Sequence, residues 1–138
     1  MTKLYANAKW IENMRIDVDD DRTHAICLDL QPDDGTDMGP SALELSLMSL
    51  AGCYATIFAL TAKKMRVATK YLKVHLEAIK SEKAGTITEA KLNISASVDA
   101  SRDRLQRVHE LTIRNCPVGK LFEKAGVKLN YNLKTENQ

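Results

Sequence analysis

The segment from Ser41 to Met65 constrains this chain more than any other. Its apolar residues (Leu43, Leu45, Leu47, Met48, Leu50, Ala51, Tyr54, Ile57, Phe58 and Leu60) fall almost all the way round a helix rather than on one stripe. A helix that is apolar on every face must be enclosed on every face. Ser41 with Glu44 three residues on is a capping-box signature, so the helix is predicted to start there and to run to about Met65. The stretch Ala42 to Ala62 is long enough to suggest a membrane span. It nevertheless contains Glu44 and several Ser and Thr, with Lys63 and Lys64 following, so a buried core helix is the better reading. A chain of 138 residues suits a single domain, 1–138. One such domain hardly has the mass to wrap this helix alone, and an intertwined homodimer would supply the remaining cover.

The flanking segments alternate in the manner of strands. Tyr5 to Ile11, Met14 to Val18 and His24 to Leu30 are predicted as three strands, with Asp19-Asp20-Asp21 at a hairpin tip. In the third, Ile26, Leu28 and Leu30 are expected to face inward, opposite Ala25, Cys27 and Asp29. Gln31 to Pro40 is a loop, rich in Pro, Gly and Asp. Beyond the helix, Tyr71 to Lys80 and Thr86 to Ala100 are predicted as long antiparallel strands joined by a turn at Lys83-Ala84-Gly85. Ser101 starts an amphipathic helix bearing Leu105, Val108 and Leu111, and Asn115-Cys116-Pro117 breaks it. Pro117 opens a short second helix that Gly126 ends, and Val127, Leu129, Tyr131 and Leu133 mark a last strand. The order is βββ-α-ββ-αα-β, an α+β layout with an antiparallel sheet around a long central helix.

Charge and composition exclude several functions. With 20 basic and 18 acidic residues the formal net charge is +2, and the basic residues are scattered. Neither nucleic acid nor an anionic membrane is implied as a partner. The opening MTKLYANAKW has no apolar signal region, and three cysteines is an odd count. A cytoplasmic protein with reduced thiols is predicted. His24, His75 and His109 share no ligand spacing, so no metal or other cofactor is assigned.

Chemistry is concentrated in two cysteines. Cys53 sits in the apolar helix, where a buried free thiol is often inert core. Cys116 stands directly before Pro117, beside the unpaired N–H groups and positive dipole end of a new helix. That position favours thiolate, the reactive species, although Cys116 is also a plausible small N-cap. Cys27 has no motif around it and is read as structural.

The run Gly39-Pro40-Ser41-Ala42-Leu43-Glu44-Leu45, continuing to Leu50-Ala51-Gly52-Cys53, resembles the central-helix motif of the OsmC/Ohr family, the osmotically inducible and organic hydroperoxide resistance proteins. Asn115-Cys116-Pro117-Val118 resembles the family's second-cysteine motif, and the 63-residue step from position 53 to position 116 is similar to its spacing. Ala8-Lys9-Trp10 and the order of elements fit as well, so the likeness spans nearly the whole chain. The resemblance implies an OsmC-like fold and a swapped, intertwined homodimer with its long helices between two sheets. It also implies thiol-dependent reduction of organic hydroperoxides, with a dithiol reductant resetting the enzyme. The peroxidatic role is carried onto Cys53 and the resolving role onto Cys116. A glutamate near the start of the central helix and an N-terminal arginine complete the family site.

Glu44 fits the first of these, but it also has the capping role open to it. Nine steps of about 100° set it opposite Cys53 on a straight helix. Arg15 is the best arginine candidate and Arg22 the next. The variant Leu-Ala-Gly-Cys looks closest to the OsmC-like branch. Leu50, Tyr54, Ile57 and Phe58 are candidates to line an apolar substrate site. The competing reading is a non-catalytic module holding an apolar small molecule between subunits. Other thiol chemistry, such as persulfide or acyl transfer, stays open. A cysteine–histidine hydrolase is disfavoured because no histidine has a convincing place relative to Cys53.

Overall fold

Residues 1–135 are described by a computed structural model, and their elements follow the order βββ-α-ββ-αα-β. The strands are β1 (Asn7–Glu12), β2 (Arg15–Asp19), β3 (Ala25–Leu28), β4 (Ala68–Ser81), β5 (Thr86–Asp99) and β6 (Lys128–Thr135). The helices are α1 (Ala42–Lys64), α2 (Arg102–Asn115) and α3 (Pro117–Lys124). The chain divides into two units, Met1–Ser46 and Leu47–Gln138, with the boundary inside the first turns of α1.

The N-terminal unit holds an antiparallel sheet in the order β1-β2-β3. Asn13 takes the left-handed conformation that the β1–β2 hairpin needs (φ 49), and its carbonyl accepts from the Trp10 indole N–H at 2.8 Å. At the next hairpin the Asp20 carboxylate accepts from the Arg22 backbone N–H at 3.0 Å and bonds His24 Nδ1 at 2.7 Å.

The third strand departs from expectation. It ends at Leu28, and Ile26 and Leu30 are exposed while Asp29 is buried. Hydrogen bonding overrides the alternation. The Asp29 carboxylate accepts from the backbone N–H groups of Leu30 (2.7 Å) and Met38 (3.0 Å) and from the Thr36 hydroxyl (2.7 Å). One buried anion thereby organises the loop that follows. These bonds, that from Thr36 foremost, hold its pKa down to about 2. The loop returns against β3 so tightly that a Cβ on Gly39 would stand 1.8 Å from the Cys27 carbonyl oxygen, which admits glycine alone.

The C-terminal unit holds a second sheet in the order β4-β5-β6. β4 and β5 pair antiparallel over nearly their whole length, around a turn at Gly85 (φ 70). β6 runs parallel to β5, so the sheet is mixed rather than antiparallel as expected. The cause is the connection: α2 and α3 carry the chain back before β6 begins, as a parallel neighbour requires.

The core of this unit is built on one stripe of α1. Leu50, Tyr54, Phe58 and Ala62 recur every four residues and are fully buried against Ala90, Leu92, Ile94 and Ala96 of β5 and Leu105 and Val108 of α2. By length and composition α1 could cross a membrane, but this packing makes it a core helix. The helix is not enclosed on every face within one chain, since Met48 and Leu60 remain 54% and 48% exposed.

Candidate functional site

Two helices and a junction bring the sulfurs together. Cys53 is half-buried near the middle of α1. Cys116 is buried at the point where α2 ends and α3 begins. Its backbone is extended (φ −77, ψ 107) because Pro117, at the first helical position, disfavours helical geometry in the residue before it. The side chain caps α3, its Sγ accepting from the Gly119 N–H at 3.4 Å. Although far apart in sequence, the Cys53 and Cys116 side chains are near neighbours, close enough for Cys53 to perturb the Cys116 thiol. Both are free thiols.

The electrostatics of Cys116 differ from the expectation drawn from its place at a helix start. Burial pushes its thiol up to about 11, and the neighbouring Cys53 adds to the shift. The N–H donors of Gly119 and Val118 act in the opposite direction and are outweighed. Desolvation opposes the thiolate more strongly than one short helix stabilises it.

Beside the two thiols lies a cluster of rings, buried Tyr54 and His109 with half-buried Tyr131, that the sequence reading missed. The Tyr54 hydroxyl meets His109 Nδ1 at 2.5 Å. Tyr131 of β6 completes a triangle, with ring centroids 6.1 Å from Tyr54 and 6.3 Å from His109. Burial lowers the His109 pKa and raises that of Tyr54, and it pushes Tyr131 up to about 12, so all three are neutral near pH 7. The signal was present in the spacing. His109 precedes Cys116 by seven residues, two helical turns, and Tyr54 adjoins Cys53. Neither metal-ligand spacing nor a hydrolase pattern reveals it, because the cluster rests on ring packing and on a hydrogen bond between residues 55 positions apart.

The other candidates have partners of their own. The Arg15 guanidinium, in the N-terminal unit, pairs with Glu12 at 3.2 Å, donates to the Thr36 hydroxyl at 3.4 Å and stands 3.9 Å from buried Asp29. Glu44 forms the capping box: its carboxylate accepts from the Ser41 N–H at 2.9 Å, and the Ser41 hydroxyl accepts from the Glu44 N–H at 3.1 Å. Arg22 is exposed and pairs with Asp20 at 3.1 Å. Leu50, Tyr54 and Phe58, expected to line an apolar substrate site, are instead fully enclosed in the core. Ile57 lines a cavity of about 240 Å³ together with Leu60, Thr61, Lys64, Met65, Leu111 and Asn115.

Comparison with known proteins places this arrangement in context. Among solved structures, an OsmC-like protein from Mycoplasma pneumoniae superposes with a TM-score of 0.87 at 20% identity, covering 99% of each chain. An OsmC-like protein of unknown function from Vibrio cholerae gives 0.83 at 14% identity, over 97% of this chain and 100% of that one. An organic hydroperoxide resistance protein of Bacillus subtilis gives 0.64 at 17% identity, over 96% of this chain and 98% of that one. At these identities the likeness is one of fold. No curated protein sequence matches the chain significantly. The family model described as OsmC-like protein matches residues 34–132, which include α1, both cysteines and the ring cluster, and the chain therefore belongs to the OsmC-like protein family.

Proposed function

We propose that this protein is a thiol-dependent peroxidase that reduces organic hydroperoxides through Cys53 and Cys116. The observation that carries the reading is the juxtaposition of two free thiols 63 positions apart in sequence. Cys53, the more accessible, attacks the peroxide oxygen distal to the organic group. The O–O bond breaks, an alcohol leaves, and Cys53 becomes a sulfenic acid. Cys116 then forms the S–S bond as the Cys53 S–O bond breaks, and its proton leaves with the hydroxyl as water. A dithiol reductant returns both thiols. A buried, protonated Cys116 suits the resolving role, because it does not compete for peroxide. Arg15 remains the proposed support for a Cys53 thiolate, while Glu44 is assigned to helix capping first.

The functional unit is proposed to be a homodimer in a reducing, cytoplasmic setting. Support comes from α1, which buries only the stripe of Leu50, Tyr54, Phe58 and Ala62 and leaves the large apolar side chains of Met48 and Leu60 exposed. A second copy of the chain would supply the cover that a helix apolar all round calls for.

The test is a thiol count after one equivalent of cumene hydroperoxide. Loss of two thiols per chain without lasting overoxidation is expected. In Cys116→Ser, a trapped sulfenic acid at Cys53 should appear instead. Unchanged thiols, with no peroxide consumed above a Cys53→Ser control, would overturn the reading in favour of a binding module.

A further inference from the structure

We propose that the Tyr54–His109 hydrogen bond is a positioning clamp that sets the effective concentration of the Cys53 and Cys116 sulfurs at one another. The inference rests on the reading that these two cysteines act as a pair, and it names residues that hold them there. Tyr54 follows Cys53 on α1, and His109 lies two turns before Cys116 on the inward face of α2. Their 2.5 Å bond therefore ties together the two helices that present the sulfurs.

The clamp is built to hold. Tyr54 is fully buried and His109 is 7% exposed, so breaking the bond would strand a hydroxyl and an imidazole nitrogen away from water. Burial keeps the imidazole neutral, which leaves Nδ1 free to accept the Tyr54 hydroxyl proton. The groups around His109 are Tyr54 from α1, Tyr131 from β6 and, on its own helix, Glu110, whose charge partly offsets the burial. Tyr131 braces the third side. Its hydroxyl and Cys116 Sγ each lie 3.4 Å from where a Cβ on Gly119 would stand, so glycine there lets hydroxyl and thiol share one space.

A clamp of this kind acts on the resolving step without touching the reacting atoms. Disulfide formation needs the two sulfurs at about 2 Å, with little tolerance in the Cα separation. Each increment of freedom between α1 and α2 lowers the fraction of time they meet.

The test uses glutathione rather than a hydroperoxide, so it does not depend on peroxidase activity. The full chain is equilibrated with reduced and oxidised glutathione, free thiols are alkylated, and the Cys53–Cys116 disulfide is quantified by mass spectrometry. Tyr54→Phe keeps the ring and removes one oxygen atom. It is expected to lower the effective concentration roughly three- to tenfold, the range for one net hydrogen bond. His109→Asn, whose side-chain oxygen can accept in place of Nδ1, should stay within about twofold of wild type. The Tyr54→Phe, His109→Asn double variant should fall no further than Tyr54→Phe. A wild-type value in folded Tyr54→Phe overturns the clamp and leaves the pairing intact. A wild-type chain that never forms the disulfide overturns both. A chain that forms it and shows the clamp effect, yet consumes no hydroperoxide, overturns the peroxidase reading alone.

Discussion

Cys116 is pulled in two directions. The first turn of α3 offers N–H donors to its sulfur, while the surrounding core denies it solvent, and the core prevails. Two consequences are measurable. Iodoacetamide at pH 8 should modify half-buried Cys53 well before buried Cys116, as peptide mapping over time would show. Stability should also fall in alkali. The folded thiol titrates near 11 against an ordinary value of 9.0, so the folded state holds the proton more tightly over that interval. Its contribution is complete below about pH 9 and is lost as pH rises through 11. Under reducing conditions, thermal unfolding at pH 8 and pH 10.5 should show wild type losing ground relative to Cys116→Ser. Sequence had placed Cys116 correctly at the helix start but had misjudged which influence would win. Burial depends on what packs over a residue, and β6 arrives from elsewhere in the chain.

At the scale of elements, α1 shows how local chemistry sets a boundary. The Ser41–Glu44 capping box satisfies backbone donors that the first turn leaves unpaired. Ser41→Ala should destabilise the protein by about 1 kcal/mol in urea unfolding. Glu44→Gln keeps an acceptor and loses the charge. If capping is the residue's task, that variant should retain near-wild-type stability and peroxide turnover, whereas a drop in turnover alone would return Glu44 to the active site. Capping, turns and strand alternation are short-range, which is why the order of elements and most boundaries were legible. The parallel pairing of β6 with β5 was not. Alternation marks Leu129, Tyr131 and Leu133 as a strand but carries no information about its direction relative to a neighbour. Asp29 likewise broke the pattern of β3, because its hydrogen bonds reach forward to Thr36 and Met38.

For the molecule as a whole, the two faces of α1 matter most. One supplies the core of the C-terminal unit, and on the other Met48 and Leu60 stay open. Placing a charge on the open face, as in Leu60→Lys, should shift the mass in sedimentation equilibrium from a dimer toward the 15.4 kDa chain. A wild-type chain sedimenting as a monomer would remove the homodimer from the proposal. The all-round apolarity of this helix, the capping box, the hairpin turns and the two cysteine motifs were determined by sequence alone, because each depends on neighbours within a few residues or on residue identity. Tertiary structure decided which stripe of α1 entered the core and that Leu50, Tyr54 and Phe58 serve packing. It also gathered Tyr54, His109 and Tyr131 beside the thiols. The physical reason is that burial and long-range hydrogen bonds are set by the superposition of separate elements, and no window of sequence contains both partners of such a contact.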